Sequence, residues 1–83
     1  MMIKIKDKNH IKMLKIMKEK NPILLSELNK KLGGYYQTKF IIAELIALDL
    51  INKNENNKIS LCRNVFIKNY DKLGYLNIEV QDG

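Results

Sequence analysis

Hydrophobic positions change their period several times along this 83-residue chain. At the start, Ile3 and Ile5 alternate with Lys4 and Lys6, the two-residue period of a half-buried strand. From Ile11 the spacing lengthens. Ile11, Leu14 and Met17, widened by Met13 and Ile16, predict one apolar helix face, with Lys8, Lys12 and Lys15 lining the opposite side. Asp7 or Asn9 is placed to cap this helix. Asn21-Pro22 should stop it, because the residue before a proline avoids the α region. Ile23 to Leu25 is a short apolar run, after which Ser26 is expected to cap the helix ELNKKL. Leu28 and Leu32 fall on its buried side, and Gly33 should close it in the left-handed conformation.

A third helix begins near Tyr36 and runs to about Leu48. Thr38, Ile41, Ile42, Leu45 and Leu48 share one side, which turns Lys39, Phe40, Ala43 and Ala47 outward with Glu44 beside them. Ile51 opens an extended stretch, and the polar cluster Asn54 to Asn57 separates it from Ile59 and Leu61, a hairpin signature. The tail reads two ways. Val65 to Leu73 is a helix using Phe66, Tyr70 and Leu73 and ended by Gly74, or a strand paired with LNIEV, where Leu76, Ile78 and Val80 alternate. Helix then strand is the expectation.

Composition narrows the function. A chain this short makes one domain, residues 1–83, and buries only about two-thirds of the surface its unfolded form exposes. A deep catalytic cleft has little room. Cys62 is the only cysteine and His10 the only histidine, so one chain can build neither a disulfide framework nor a thiolate–imidazole zinc cluster. Cys62 is expected as a small buried hydrophobe, and His10 as an ordinary residue of the first helical turn. Gly33-Gly34 is a turn and not a phosphate loop, since no GK[ST] follows. With no nucleophile–base constellation the expectation is a non-enzyme without cofactor or metal. MMIKIKDK lacks the apolar core of a signal peptide, and no run approaches the ~18 apolar residues that span a bilayer. A cytoplasmic protein is expected.

The net charge of +6 points to a polyanionic partner. Its distribution is uneven. Residues 1–20 carry seven lysines against Asp7 and Glu19, whereas residues 21–83 carry eight basic groups against seven acidic ones. The excess sits in the first quarter of the chain, so the total overstates the charge elsewhere.

The stretch LLSELNKKLGGYYQTKFIIAELIALDLINK resembles MarR-like and ArsR-like regulators of the winged helix-turn-helix superfamily. The shared pieces are Leu25, Glu27-Leu28, the Gly33-Gly34 turn, and Leu45 through Leu50-Ile51, within roughly residues 10–62. Asp49 stands where the family usually has glycine, and the entry to the third helix lacks its usual Ser/Thr-rich text. The resemblance implies an α+β winged helix-turn-helix. It would have three helices and a β-hairpin wing, a core at about residues 8–62 and short terminal segments, with residues 63–83 as a C-terminal extension. It implies that the third helix enters the major groove of duplex DNA. Tyr35, Tyr36, Gln37 and Lys39 match the contact positions, while Lys53 and Lys58 near the wing and Arg63 beyond it would hold flanking phosphates. Such modules usually pair, here through the lysine-faced first helix or, as the favoured expectation, through the apolar tail around Phe66, Tyr70 and Leu73. The outward Phe40, Ala43 and Ala47 keep a second reading open, a protein-interaction module within a larger assembly.

Overall fold

A computed structural model describes residues 1–81, and of Tyr35, Tyr36 and Gln37 only the backbone. The elements run β1 (Met2–Ile5), α1 (Lys8–Glu19), β2 (Ile23–Leu24), α2 (Leu25–Leu32), α3 (Tyr35–Ala47), β3 (Ile51–Lys53), β4 (Lys58–Leu61), β5 (Asn64–Tyr70) and β6 (Leu76–Gln81). The result is an α+β fold with three helices and two small antiparallel sheets, ordered β2-β4-β3 and β1-β6-β5. One hydrophobic core joins them, from Ile5 on β1 through Leu14, Leu28 and Leu45 on the helices to Ile78 on β6.

The first helix follows its pattern. Asp7 caps it, accepting from the Asn9 and His10 amides at 2.8 and 3.2 Å, which satisfies two donors that a helix start leaves unpaired. Ile11, Met13, Leu14 and Met17 are buried. The helix ends at Lys20, and Asn21-Pro22 (a cis peptide) leads into β2.

Ser26 does not cap α2. The helix starts two residues earlier, after Leu24, and the Leu25 amide donates to the carbonyl of Asn57 at 2.8 Å. A carbonyl from the β3–β4 turn does the work expected of a side chain, so Ser26 lies inside the first turn. Gly33 closes α2 in the left-handed conformation, φ 85, as the sequence predicts.

Leu48 does not join the buried side of α3; it is 42% exposed. The chain instead ends the helix in a Schellman arrangement. The Asp49 amide donates to Ile46 and the Leu50 amide to Leu45, at 2.9 and 3.1 Å. This swings Leu50 under the helix against Leu45, where both are fully buried. Full burial of a leucine is worth about 1.5–3 kcal/mol, so Leu50 takes the anchoring role assigned to Leu48. Asp49, at the pivot, has φ 62.

The tail is a strand, not a helix. β5 pairs with β6 in antiparallel register, Val65 opposite Val80 and Ile67 opposite Ile78. Val65 is buried and Ile67 half-buried, the alternation of a strand. Phe66, Tyr70 and Leu73, whose helical spacing suggested otherwise, are all exposed. A helix would have buried those three and left β6 with β1 alone. β1 then pairs the other edge of β6, with Ile3 opposite Ile78 and Ile5 opposite Leu76.

Both hairpins turn on one plan. Asn54 Oδ1 accepts from the Asn56 and Lys58 amides, and Asp71 Oδ1 accepts from those of Leu73 and Tyr75, at 2.9–3.0 Å. The fourth residue of each turn is left-handed, Asn57 at φ 58 and Gly74 at φ 86. This is a type I turn followed by a left-handed residue, a common short hairpin loop.

Candidate functional site

The candidate site is built on α2 (Leu25–Leu32), the Gly33-Gly34 turn and α3 (Tyr35–Ala47). Gly33 and Gly34 both take positive φ, 85 and 155, which lets the chain reverse between the helices. Thr38 is buried, and its hydroxyl donates to the Gly34 carbonyl at 2.7 Å, tying the first turn of α3 to the reversal. Ile41, Ile42 and Leu45 are buried beyond it, so α3 is fixed along one face. Lys39, Phe40, Ala43, Glu44 and Ala47 are exposed on the other, as their spacing predicts.

The expected contact residues are not all brought together. Tyr35, Tyr36 and Gln37 form the first turn of α3, and their side chains lie outside the described residues. Lys39 and Lys53 share a cleft of about 100 Å³ with Leu25, Asn29 and Ile42. Lys53 reaches it because it lies opposite Ile59 in the β3–β4 pair, on the core-facing side of the pleat. Lys58 lies opposite Leu24 and so points to the other face of the hairpin. Arg63 stands at the far end of β4, where its Nη2 is 2.7 Å from Asp49 Oδ2. Lys39 and Lys53 make no ion pair among the described residues.

Sequence reasoning missed two participants. Asn29 sits in the same cleft, and its Oδ1 is buried with no hydrogen-bond partner among the described residues. Leaving such an atom unpaired costs about 1–3 kcal/mol. A lone Asn in a polar helix gives no sign of this, since the cleft forms only when β3 meets α3. His10 is not an ordinary surface residue. It is 8% exposed, and its Nε2 lies 2.9 Å from Glu44 Oε2, joining α1 to the outward side of α3. Cys62 is exposed, contrary to expectation. Ile59 and Leu61 take the inward positions of β4, so the next residue falls outward.

Other electrostatics support the frame. Lys20 Nζ holds both Glu27 oxygens at 2.8 and 2.9 Å, across the α1–α2 connection. That bond keeps the Glu27 carboxyl below its usual pKa against a smaller opposing effect of desolvation. Among the described residues no group of three His, Cys, Asp or Glu could hold a metal, and no helix is long and apolar enough to cross a membrane. Comparison with protein-family models, curated proteins and solved structures finds no match to this chain.

Proposed function

We propose that this chain is a winged helix-turn-helix module that binds duplex DNA sequence-specifically, as a small transcriptional or replication regulator in the cytoplasm. The observation that carries the reading is the cleft where Lys39 of α3 and Lys53 of the hairpin meet beside Asn29. In this reading β3 and β4 are the wing, and α3 enters the major groove with Tyr35, Tyr36 and Gln37 at its leading end. A backbone phosphate sits between the two lysines. Asn29, on the wall of the same cleft, adds an amide donor that can serve a phosphate oxygen. Lys58 tracks the backbone from the other side of the wing. Arg63, engaged with Asp49, takes a supporting part at most.

The test is fluorescence anisotropy of labelled duplex DNA at two salt concentrations. Log affinity should fall linearly with log salt, and Lys39→Ala and Lys53→Ala should each reduce the slope by about one. A slope unchanged in both variants would remove the phosphate from this cleft.

One observation favours the second reading, a protein-interaction module. Phe40 is 67% exposed on α3, with Ala43 and Ala47 on the same face. A groove-reading helix gains little from that phenylalanine, whereas a partner helix could bury it. If Phe40→Ala abolishes capture of a protein partner while Lys39→Ala and Gln37→Ala change little and no DNA binding is found even at low salt, the second reading replaces the first.

A two-fold dimer would use the exposed Phe66, Tyr70 and Leu73. Lys18 and Lys15 stand 5.4 and 6.0 Å from the Phe66 and Tyr70 ring centroids, so pairing there sets lysines against lysines. Such a dimer strengthens as salt rises, which sedimentation equilibrium reads directly, and Tyr70→Asp disrupts it.

A further inference from the structure

We infer that the side of the protein between α1 and the β5–β6 turn holds a binding site for an amphipathic organic anion: a planar apolar body carrying a carboxylate, sulfonate or phosphate. A cavity of about 480 Å³ opens there, lined by Lys6, Lys8, Lys12 and Lys15 around Ile11 and Tyr70. Its volume falls in the range of small-molecule sites, and its make-up divides cleanly into an apolar floor and a cationic rim. Ile11 and the Tyr70 ring supply the floor. No carboxylate lines the cavity.

The rim lacks counter-charge. None of the four lysines makes an ion pair among the described residues. The two nearest acids in sequence are already committed. Asp7 accepts from the amides at the start of α1, and Asp71 accepts from the Leu73 and Tyr75 amides and pairs with Lys4. Lys6 and Lys15 instead stand over the rings of Tyr75 and Tyr70, at 5.4 and 6.0 Å from their centroids.

The chemistry follows from what each half needs. An inorganic anion alone would neutralise the rim and leave the floor wet. A neutral apolar molecule would cover the floor and leave four like charges repelling one another. A molecule with both parts satisfies both, and a planar body can lie against the exposed Tyr70 ring. This site shares no residue with the Lys39–Lys53 cleft, so it stands or falls apart from that cleft, although Tyr70 and Lys15 also lie at the proposed dimer surface.

The test is a fluorescence titration of the full chain with 1-anilinonaphthalene-8-sulfonate, using neutral N-phenyl-1-naphthylamine as the control. Saturable one-to-one binding of the sulfonate, well above that of the neutral dye, is expected. The double variant Lys12→Gln/Lys15→Gln should weaken it roughly tenfold, the size of two exposed ion contacts, while its melting curve stays in place. Lys39→Ala/Lys53→Ala should leave it unchanged. Displacement by adenosine monophosphate supports the planar body; displacement by dodecanoate alone would overturn it. Equal binding of the neutral dye, indifference to the double lysine change, or displacement by neither competitor would overturn the site.

Discussion

Asp49 carries a backbone conformation that ordinary side chains avoid. Its φ of 62 lies in the left-handed region, at the pivot that lets Leu50 pack under Leu45. Two terms act there. The left-handed backbone costs a non-glycine residue about 1–2 kcal/mol, less for Asp than for most. The Arg63 ion pair returns part of it, but the Asp49 side chain is 70% exposed, so the pair is worth under about 1 kcal/mol. Replacing Asp49 by Gly or by Ala deletes the same carboxylate. The difference between the two variants therefore isolates the backbone. Gly should exceed Ala in stability by about 1 kcal/mol, which for a domain of this size is a melting temperature higher by roughly 4–8 °C. Urea denaturation of both variants, with matched slopes, gives the free-energy difference directly. Equal midpoints for Gly and Ala would mean that the left-handed turn is not what holds Leu50 in place.

Two further perturbations test the frame. Asp7→Ala should cost about 1 kcal/mol by thermal melting, whereas Ser26→Ala should cost almost nothing; equal losses would restore Ser26 as a cap. Acid should loosen the C-terminal hairpin. Desolvation alone would raise the Asp71 pKa, but the Tyr75 and Leu73 amides and the Lys4 ammonium outweigh it, and the carboxyl lies below its ordinary 3.8. The unfolded chain thus binds this proton more readily than the folded one, so the contribution is complete above 3.8 and fades as pH falls through the lower folded value. Asp71→Asn keeps an acceptor in the turn and removes the titration. Its acid melting profile should be shallower than the parent's, and an identical profile would exclude Asp71 as a source.

What could be read from the sequence was what is local. Asp7, the buried face of α1, the Gly33 reversal, the inward and outward faces of α3 and the polar tip at Asn54 all depend on neighbours within a few residues. What failed depended on distant ones. Ser26 lost its cap to a carbonyl some thirty residues away. Phe66, Tyr70 and Leu73 mimic a helical stripe, and only pairing with β6 shows that Val65, with the half-buried Ile67, faces inward. The same holds at the site. The outward position of Lys39 was legible, but its meeting with Lys53 and Asn29 needs the hairpin folded against α3. Nothing in the local text separates Lys53 from Lys58, although the pleat sends them to opposite faces.

The pairing of β1 with β6 sets an order of events during synthesis. Met1 N donates to the Val80 carbonyl across 79 positions of chain, and Ile3 and Ile5 find their partners only on β6. While the ribosome makes everything between, β1 has no strand to join, and its two isoleucines lack the cover they have in the finished protein. The α1–α2–α3 unit and the first hairpin, built on nearer contacts, can assemble earlier. Closing so long a loop is slow compared with forming helices. β6, made after everything between, thus completes the sheet that β1 begins, and a chain halted before Leu76 would present β1 as an open edge to its neighbours.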